Sequence, residues 1–232
     1  EWYFDGEQQG EGIVDVTTHL VDLVQCTVMP EQPIDYASQV EITSARRWTT
    51  DIPLDKYRLV SGKESYPDFL KKDIVDDTLR VYSNGEINYR LNGVNVRVSV
   101  IWNFMAEVGN EGTGDTHYSV VKGSKADVMI RQGAEQGYKP MLYVACKTDA
   151  FEKELRAALA SIADRYPGLD IEPSGEKEWH VIVPDALVKT HETRFSSVMK
   201  VYLQYLIDGK IPDWEVSQMK AKYYTTTAAL EA

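Results

Sequence analysis

Apolar residues recur every third or fourth position through "GEGIVDVTTHLVDLVQ", residues 10–25, and that spacing predicts a helix. At about 100° per residue, Asp15, Thr18, His19, Asp22 and Gln25 share one narrow strip of it. Ile13, Val14, Val16, Leu20, Val21, Leu23 and Val24 take the remainder, so the pattern predicts a helix buried on most sides. A solvated strip usually carries Lys and Glu, which are good helix formers; this one carries Asp, Thr, His and Asp, which are poorer ones. Its composition points to a purpose other than solubility.

Downstream the period changes. Pro30 and Pro33 interrupt the helix, and "QVEITSARRW" alternates as a strand does. "PLDKYRLV" and "YPDFLKK" read as two short helical stretches. From Thr78, "TLRVYS-NG-EINYRL-NG-VNVRVSVIWNF" reads as three strands joined by two Asn-Gly hairpin turns, Asn84-Gly85 and Asn92-Gly93, because Asn-Gly supplies the positive φ angles of a two-residue turn. In the third run Val94, Val96, Val98, Val100, Trp102 and Phe104 share one face, and Asn95, Arg97, Ser99, Ile101 and Asn103 the other. One apolar and one mixed face predict helices on one side only. "DTHYSVV" and "KADVMIR", with a turn at Lys122-Gly123, and then "MLYVACK" continue the strands. Residues 149–166 read as a helix with Asp149 as N-cap and Glu152 as its capping-box partner, stopped by Pro167-Gly168. "EWHVIV" is a last strand, followed by a helix from about Leu187 to Asp208 and a terminal helix over "WEVSQMKAKYY". The expected fold class is α+β, a large open antiparallel sheet covered by helices on one face.

The 232 residues carry 36 acidic and 25 basic side chains, a formal charge of −11 with no Lys/Arg cluster. That balance argues against nucleic acid and against an anionic membrane surface as partners. No apolar run approaches the ~20 residues of a membrane span. Cys26 and Cys146 lie in apolar segments without metal-ligand spacing and read as two buried thiols. The chain opens "EWYFDGEQQGEG", without Met and in what reads as the middle of a fold, so a piece of a longer protein is expected.

Four histidines are present, His19, His117, His180 and His191, with no H-x-x-x-H pair, and no metal is expected. His180, beside Trp179 in an apolar strand, reads as structural. "GDTHYS" aligns Asp115, His117 and Ser119 along one strand face, but neighbours side by side do not make the nucleophile–base–orienter line of a hydrolase, and there is no G-x-S-x-G elbow. "GNEGTG" precedes a strand instead of opening a helix, so it fails as a dinucleotide fingerprint. There remains Asp15–His19, a carboxylate one turn from an imidazole, a pairing that can make His a better general acid/base.

"GEGIVDVTTHLVDLVQ" resembles the segment that opens the C-terminal domain of the GFO/IDH/MocA oxidoreductases, in which a Gly-rich turn leads into a helix carrying Asp-x-x-x-His and then a further Asp. "GKIPDWEVSQMKAKYYTTTAAL" looks like the closing helix of bacterial members. "SARRW", "VYSNGEINYRLNGVNVRVSVIWNF", "GDTHYSVVKGSKADVMIRQG" and "EQGYKPMLYV" resemble a subgroup with a distinctive C-terminal domain. The likeness spans nearly the whole chain, so residues 1–232 are expected to be one such domain, with the N-terminal Rossmann domain absent. Thr17 stands where many relatives have Gly, which leaves the Asp15–His19 pair intact.

The resemblance implies an NAD(P)-dependent oxidoreductase acting on the CH–OH group of a sugar or polyol, with NAD or NADP bound mainly by the missing Rossmann half. By position, His19 is then the general acid/base, and Asp15 orients it or binds the substrate hydroxyl. The family's catalytic Lys has no counterpart here, so this chain alone is expected to be inactive. Asp22, Asp115, His117, Arg131 and Tyr138 are candidates for substrate binding, the last four alternatively for an open sheet face that pairs subunits into a homo-oligomer. The rival reading is a non-catalytic carbohydrate-binding or assembly module, with Trp48, Trp102, Trp179 and Trp214 as stacking platforms.

Overall fold

The computed structural model describes residues 1–104, 114–148, 151–188 and 191–232, without the side chains of 191 and 192. After a short 3-10 turn, Trp2–Phe4, the chain forms α1 (Gly6–Gln9), α2 (Thr17–Val28), α3 (Tyr36–Gln39) and the long strand β1 (Val40–Pro53). Next come α4 (Leu54–Ser61), β2 (Ile74–Val75), β3 (Thr78–Leu91) and β4 (Val94–Val100). A second series holds β5 (His117–Lys122), β6 (Ala126–Gln132), β7 (Met141–Cys146), α5 (Phe151–Ser161), β8 (Asp170–Gly175) and β9 (Glu178–Ile182). Helices α6 (His191–Asp208) and α7 (Asp213–Glu231) close the chain. The whole divides into two compact units, one of Glu1–Ala106 with Tyr205–Ala232 and one of Glu107–Gln204.

The α+β reading holds, and every strand pair among the described residues is antiparallel. The strands divide between a four-stranded sheet in the first unit and a five-stranded sheet in the second.

In the first unit β3 is central, paired with β1 on one side and with β4 and the short β2 on the other. Its burial alternates with period two at both ends, buried Leu79 and Val81 against exposed Arg80 and Tyr82, and buried Tyr89 and Leu91 against exposed Arg90, while Ser83–Ile87 are buried throughout, next to the shift in β1–β3 register. Over β4 and the adjoining half of β3, α2 and α7 cover one face, as the split faces of β4 predict. Val21 and Met29 of the α2 region and Ala221 and Ala229 of α7 pack with Ile13 on Ile87, Tyr89, Leu91 and Val98. A second cluster, Phe4, Ile52, Tyr57, Leu70, Leu79, Val81 and Phe104, fills the other end of the sheet. Helix α7 meets α2 through small and polar groups. Gln218 Nε2 donates to the carbonyls of Met29 (2.8 Å) and Gln32 (2.9 Å), and the buried Gln25 amide spans to the Gln218 carbonyl and the Lys222 N–H, each at 3.0 Å.

Several boundaries differ from the sequence reading, each for a physical reason. Asn84-Gly85 is not a turn: β3 runs through it unbroken, and Asn92-Gly93 alone makes the hairpin, with φ of 48° and 81°. Asn84 is instead buried where the β1–β3 register shifts, donating to Trp48 O (3.2 Å) and Thr50 Oγ1 (2.9 Å) and accepting from Trp102 N (2.8 Å). Gly85 leaves room for Ile13: a Cβ there would stand 2.6 Å from the Ile13 Cβ. Helix α2 begins at Thr17, with Gly12–Val16 wound as turns ahead of it, and Leu23 is exposed while Gln25 is buried. "YPDFLKK" contributes a 3-10 turn, Asp68–Asp73, instead of an α-helix. Cys26 is exposed and Cys146 buried, both as free thiols.

In the second unit the strand order is β5-β6-β7-β9-β8. The expected strands all form, and β8, which the sequence reading did not include, is a further partner for β9. Leu155 of α5 packs one sheet face against Val144, Ile171 and Val181. This helix ends at Ser161, ahead of Pro167-Gly168, and the proposed N-cap Asp149 lies outside the described residues. Helix α6 is described from His191, and residues 189–190 of its expected start are also outside.

Two stability measurements check this packing. Gly85→Ala drives a methyl into Ile13 and is expected to cost at least about 2 kcal/mol in urea unfolding; an unchanged midpoint would contradict the close approach. The Tyr89 hydroxyl is buried without a hydrogen-bond partner among the described residues, and burial alone pushes its pKa up. Tyr89→Phe is therefore expected to be neutral or stabilising by about 1 kcal/mol, and a clear loss of stability would reveal a partner for that hydroxyl.

Candidate functional site

Everything around His19 depends on how the segment before α2 is fastened. The Gly12 N–H donates to the Tyr82 carbonyl of β3 at 2.9 Å, and a Cβ on Gly12 would stand 1.9 Å from the Ser83 oxygen. Only glycine permits such contact of backbone on backbone. The neighbouring Glu11 carboxylate pairs with Arg47 of β1, whose guanidinium lies 4.6 Å over the Tyr82 ring. From this anchor the chain winds upward. Val14 N and Asp15 N both donate to the Glu11 carbonyl at 2.9 Å, the buried Thr17 hydroxyl donates to Gly12 O at 2.8 Å, and the Thr18 hydroxyl donates to Asp15 O at 2.6 Å. The two threonines thus hold the turn in place of an N-capping side chain.

Asp15 lies in that turn and not within the helix, and its side chain is half-buried. Its Oδ2 accepts from Gln9 Nε2 at 3.0 Å, so the carboxylate is held by α1 and not by the imidazole. His19 stands exposed on the first turn of α2, and its ring has no hydrogen-bond partner among the described residues. Burial first, and then the charge of Asp15, push the Tyr3 phenol up, which places that phenol within the carboxylate's field. Tyr3 packs on Trp102 at 5.5 Å. The segment leading into α2 is acidic. Lys72 bridges Asp5 (3.0 Å) and Glu7 (2.7 Å), and Asp73 is pushed up by burial and by Asp5, Glu7 and Glu11, against the opposing pull of Lys72. A segment this rich in carboxylates is better suited to hydroxyl groups than to phosphate.

The lower half of the strip faces α7. Asp22 pairs with Lys222 of α7 at 3.1 Å and Gln25 is buried against the same helix, so these two tie α2 to α7. Gln9, Glu11, Arg47 and Tyr3 complete the site and were not candidates from sequence. Gln9 and Glu11 flank the Gly-rich turn, but nothing in the spacing marks Arg47 or Tyr3.

The second unit separates its candidates. His117 pairs across the strands with Gln132 and Tyr118 with Arg131, so His117 and Arg131 lie on opposite faces of the sheet. Arg131 forks onto Glu178 at 2.8 and 2.6 Å and lies 4.6 Å over the Tyr143 ring. This face also carries His180, whose Nδ1 is 3.0 Å from Glu172 Oε1. Asp115 is exposed, ahead of β5, and its carbonyl accepts from Gln132 Nε2 at 2.8 Å. Tyr138 holds a left-handed backbone (φ 57°) and its side chain closes on Gly114. His117 and Ser119 share a face but Asp115 is outside the strand, so the hydrolase line is not assembled. Residues 109–113 of "GNEGTG" and the side chain of His191 lie outside the described residues.

Trp48, Trp102, Trp179 and Trp214 are all half-buried. Trp102 packs on Phe104 (5.7 Å), Trp179 on Phe151 (6.3 Å), and Trp48 lies beneath Arg46 (5.0 Å), which favours packing over sugar platforms. A recess of about 300 Å³ between α3 and α7, lined by Ile34, Tyr36, Asp213 and Lys220 among others, contains none of the candidates.

Comparison with solved structures finds a chain of the same fold, described as a "putative oxidoreductase from Parabacteroides merdae ATCC 43184". The two superpose with a TM-score of 0.93 at 51% sequence identity, over 99% of this chain and 53% of the other, so this chain spans about half the length of that relative. Comparison with curated proteins gives no match. A family model described as "Putative oxidoreductase C terminal domain" matches residues 1–232 in full, and the chain belongs to that family.

Proposed function

We propose that this chain is the substrate-binding domain of an NAD(P)-dependent oxidoreductase acting on the CH–OH group of a sugar or polyol, of the GFO/IDH/MocA kind that its sequence resembles. The observation that carries the reading is the anchoring of the segment before α2: a Gly-rich turn locked to the sheet presents an exposed imidazole four residues from a held carboxylate. His19 would accept or return the hydroxyl proton, and Asp15, held by Gln9 and four residues before His19, would accept a hydrogen bond from the substrate hydroxyl. The chemistry is oxidation or reduction at carbon, coupled to that proton transfer.

The residues near His19 do not fit a dinucleotide. The Gly12 N–H is taken by Tyr82, and the first amides of α2 donate to Gly12, Asp15 and Val16, so no free N–H cradle faces outward. Glu11 and Asp15 add charge of the wrong sign for a pyrophosphate. The nicotinamide cofactor is therefore assigned to the remainder of the longer protein, and this domain to the hydroxyl and its proton. For subunit pairing, the face of the five-stranded sheet with Arg131 and the exposed Tyr118 is the proposed surface.

Titration with NAD(H) and NADP(H), run on this chain and on the full-length parent, is expected to show binding by the parent alone. Saturable binding by this chain would overturn the division of labour. In the parent, screened against sugars and polyols, His19→Ala is expected to lower kcat by about 10²- to 10⁴-fold. The melting temperature should stay nearly unchanged, because the residue is exposed. Turnover near normal would remove His19 from the mechanism.

A further inference from the structure

The solvent face of the four-stranded sheet carries a charged group that none of the foregoing uses. Glu86, in the middle of β3, is 7% exposed although it points away from the helices. It is covered by two guanidiniums. Arg46 Nη2 from β1 stands 3.2 Å from Glu86 Oε2, and Arg97 from β4 reaches the same oxygen through Nε at 3.0 Å and Nη2 at 2.6 Å. Both arginine side chains are about two-thirds exposed, at 65% and 67%. Arg46 is steadied further by Trp48, 5.0 Å below its guanidinium.

The donor count decides what this trio does. One carboxylate oxygen takes one nitrogen of Arg46 and two of Arg97, leaving Nε and Nη1 of Arg46 and Nη1 of Arg97 without a partner in the trio. The trio bears a net positive charge within a chain of formal charge −11. Strand register sets Ser99 opposite Glu86, and Ser44 and Arg97 opposite Asn88, so the adjoining positions on this face are exposed hydroxyls and an amide. The adjacent carboxylate along the face, Glu41, is opposed by Arg90 (3.0 Å). A buried carboxylate that fixes two guanidiniums side by side, with outward N–H groups and neighbouring hydroxyls, matches the geometry by which arginine forks hold oxyanions.

We infer that Arg46 and Arg97, positioned by Glu86, form a binding site for a tetrahedral oxyanion, either free phosphate or a phosphate ester on a small molecule, with Ser99 and Ser44 as neutral donors. The acidic segment leading into α2 disfavours this chemistry, and the site on the sheet face favours it. Binding through exposed guanidiniums weakens with ionic strength, so the comparison must hold it constant.

The test is a titration of this chain with inorganic phosphate, against sodium chloride at matched ionic strength, read by NMR at the Nε–H groups of Arg46 and Arg97 and by calorimetry. The expected result is a saturable shift at both groups with a Kd at or below about 1 mM, weakened at least tenfold by Arg97→Gln and by Arg46→Gln, and abolished by Ser99→Glu. Unchanged melting temperatures would show that these surface variants still fold, and two independent arginine variants keep the test decisive if one does not. A linear drift matching that of chloride, or an undiminished curve in both arginine variants, would overturn the site. A parallel titration with glucose 6-phosphate separates the sources: tighter binding than inorganic phosphate identifies an ester ligand, and equal binding the bare anion.

Discussion

The contact of the Gly10–Val16 segment with β3 is the constraint on which the first unit depends. Two glycines make it possible from opposite sides: Gly12 lays its backbone on Ser83 and hydrogen-bonds Tyr82, and Gly85 leaves space for Ile13. Neither position tolerates a Cβ without displacement of backbone atoms or of the Ile13 side chain. With that distance set, Ile13 enters the core at 1% exposure, the turn rises at a fixed angle, and α2 lies over Ile87, Tyr89 and Leu91. The Glu11–Arg47 pair adds a lateral tie to β1. Close packing here also sets the position of Asp15, which these seven residues carry, and through the turn that of His19.

The polar strip of α2 then divides by what each residue faces. Asp15 and His19 lie at its open end. Asp22 and Gln25 lie where α7 crosses, and there polarity is structural: Lys222 and the backbone of α7 meet them, while Gln218 satisfies the carbonyls of Met29 and Gln32. Helix α7 buries Gln218, Thr225 and Thr226 beside Ala221 and Ala229, and the threonine hydroxyls donate back into the helix itself, Thr225 to Ala221 O at 2.7 Å. Small side chains let the two helices approach, and satisfied amides and hydroxyls remove the desolvation penalty that would otherwise accompany such an interface.

Periodicity made the elements of this fold legible where one face is apolar and the other solvated. The alternation of β4 announced helices on one side, and Asn92-Gly93 announced its hairpin. Asn84-Gly85 misled because the local chemistry of a turn and of a strand bulge is the same; the choice falls to Trp48 and Thr50 of β1 and to Trp102 beyond the end of β4, which capture the Asn84 side chain. Strand β8 was hidden by Pro173 and Gly175, residues an edge strand tolerates. Of the site, Asp15 and His19 were visible as a pair four residues apart. Arg47 and Tyr3 were not, because they reach it by strand pairing and by the return of the N-terminal segment, which no local spacing encodes. The opposition of His117 and Arg131 was equally invisible until β5–β6 register was known.

Charge is segregated within the first unit in a way that net charge conceals. The segment from Asp5 to Asp15, together with Asp73, gathers carboxylates, and its basic contacts, Lys72 and Arg47, are already engaged with Asp5, Glu7 and Glu11. The opposite side of the same sheet gathers arginines, with Glu86 consumed between two of them and held below the usual carboxylate range as their hydrogen bonds outweigh the cost of its burial. A pleated sheet produces this separation readily, since residues i and i+1 of each strand serve different faces. Arg46 and Arg47 show it in adjacent positions: the first turns outward to Glu86, the second to Glu11 beside the glycine turn. On the proposed reading, the acidic side meets neutral hydroxyl compounds and the basic side meets anions, so one thin layer of strands presents two chemistries without their fields cancelling at either surface.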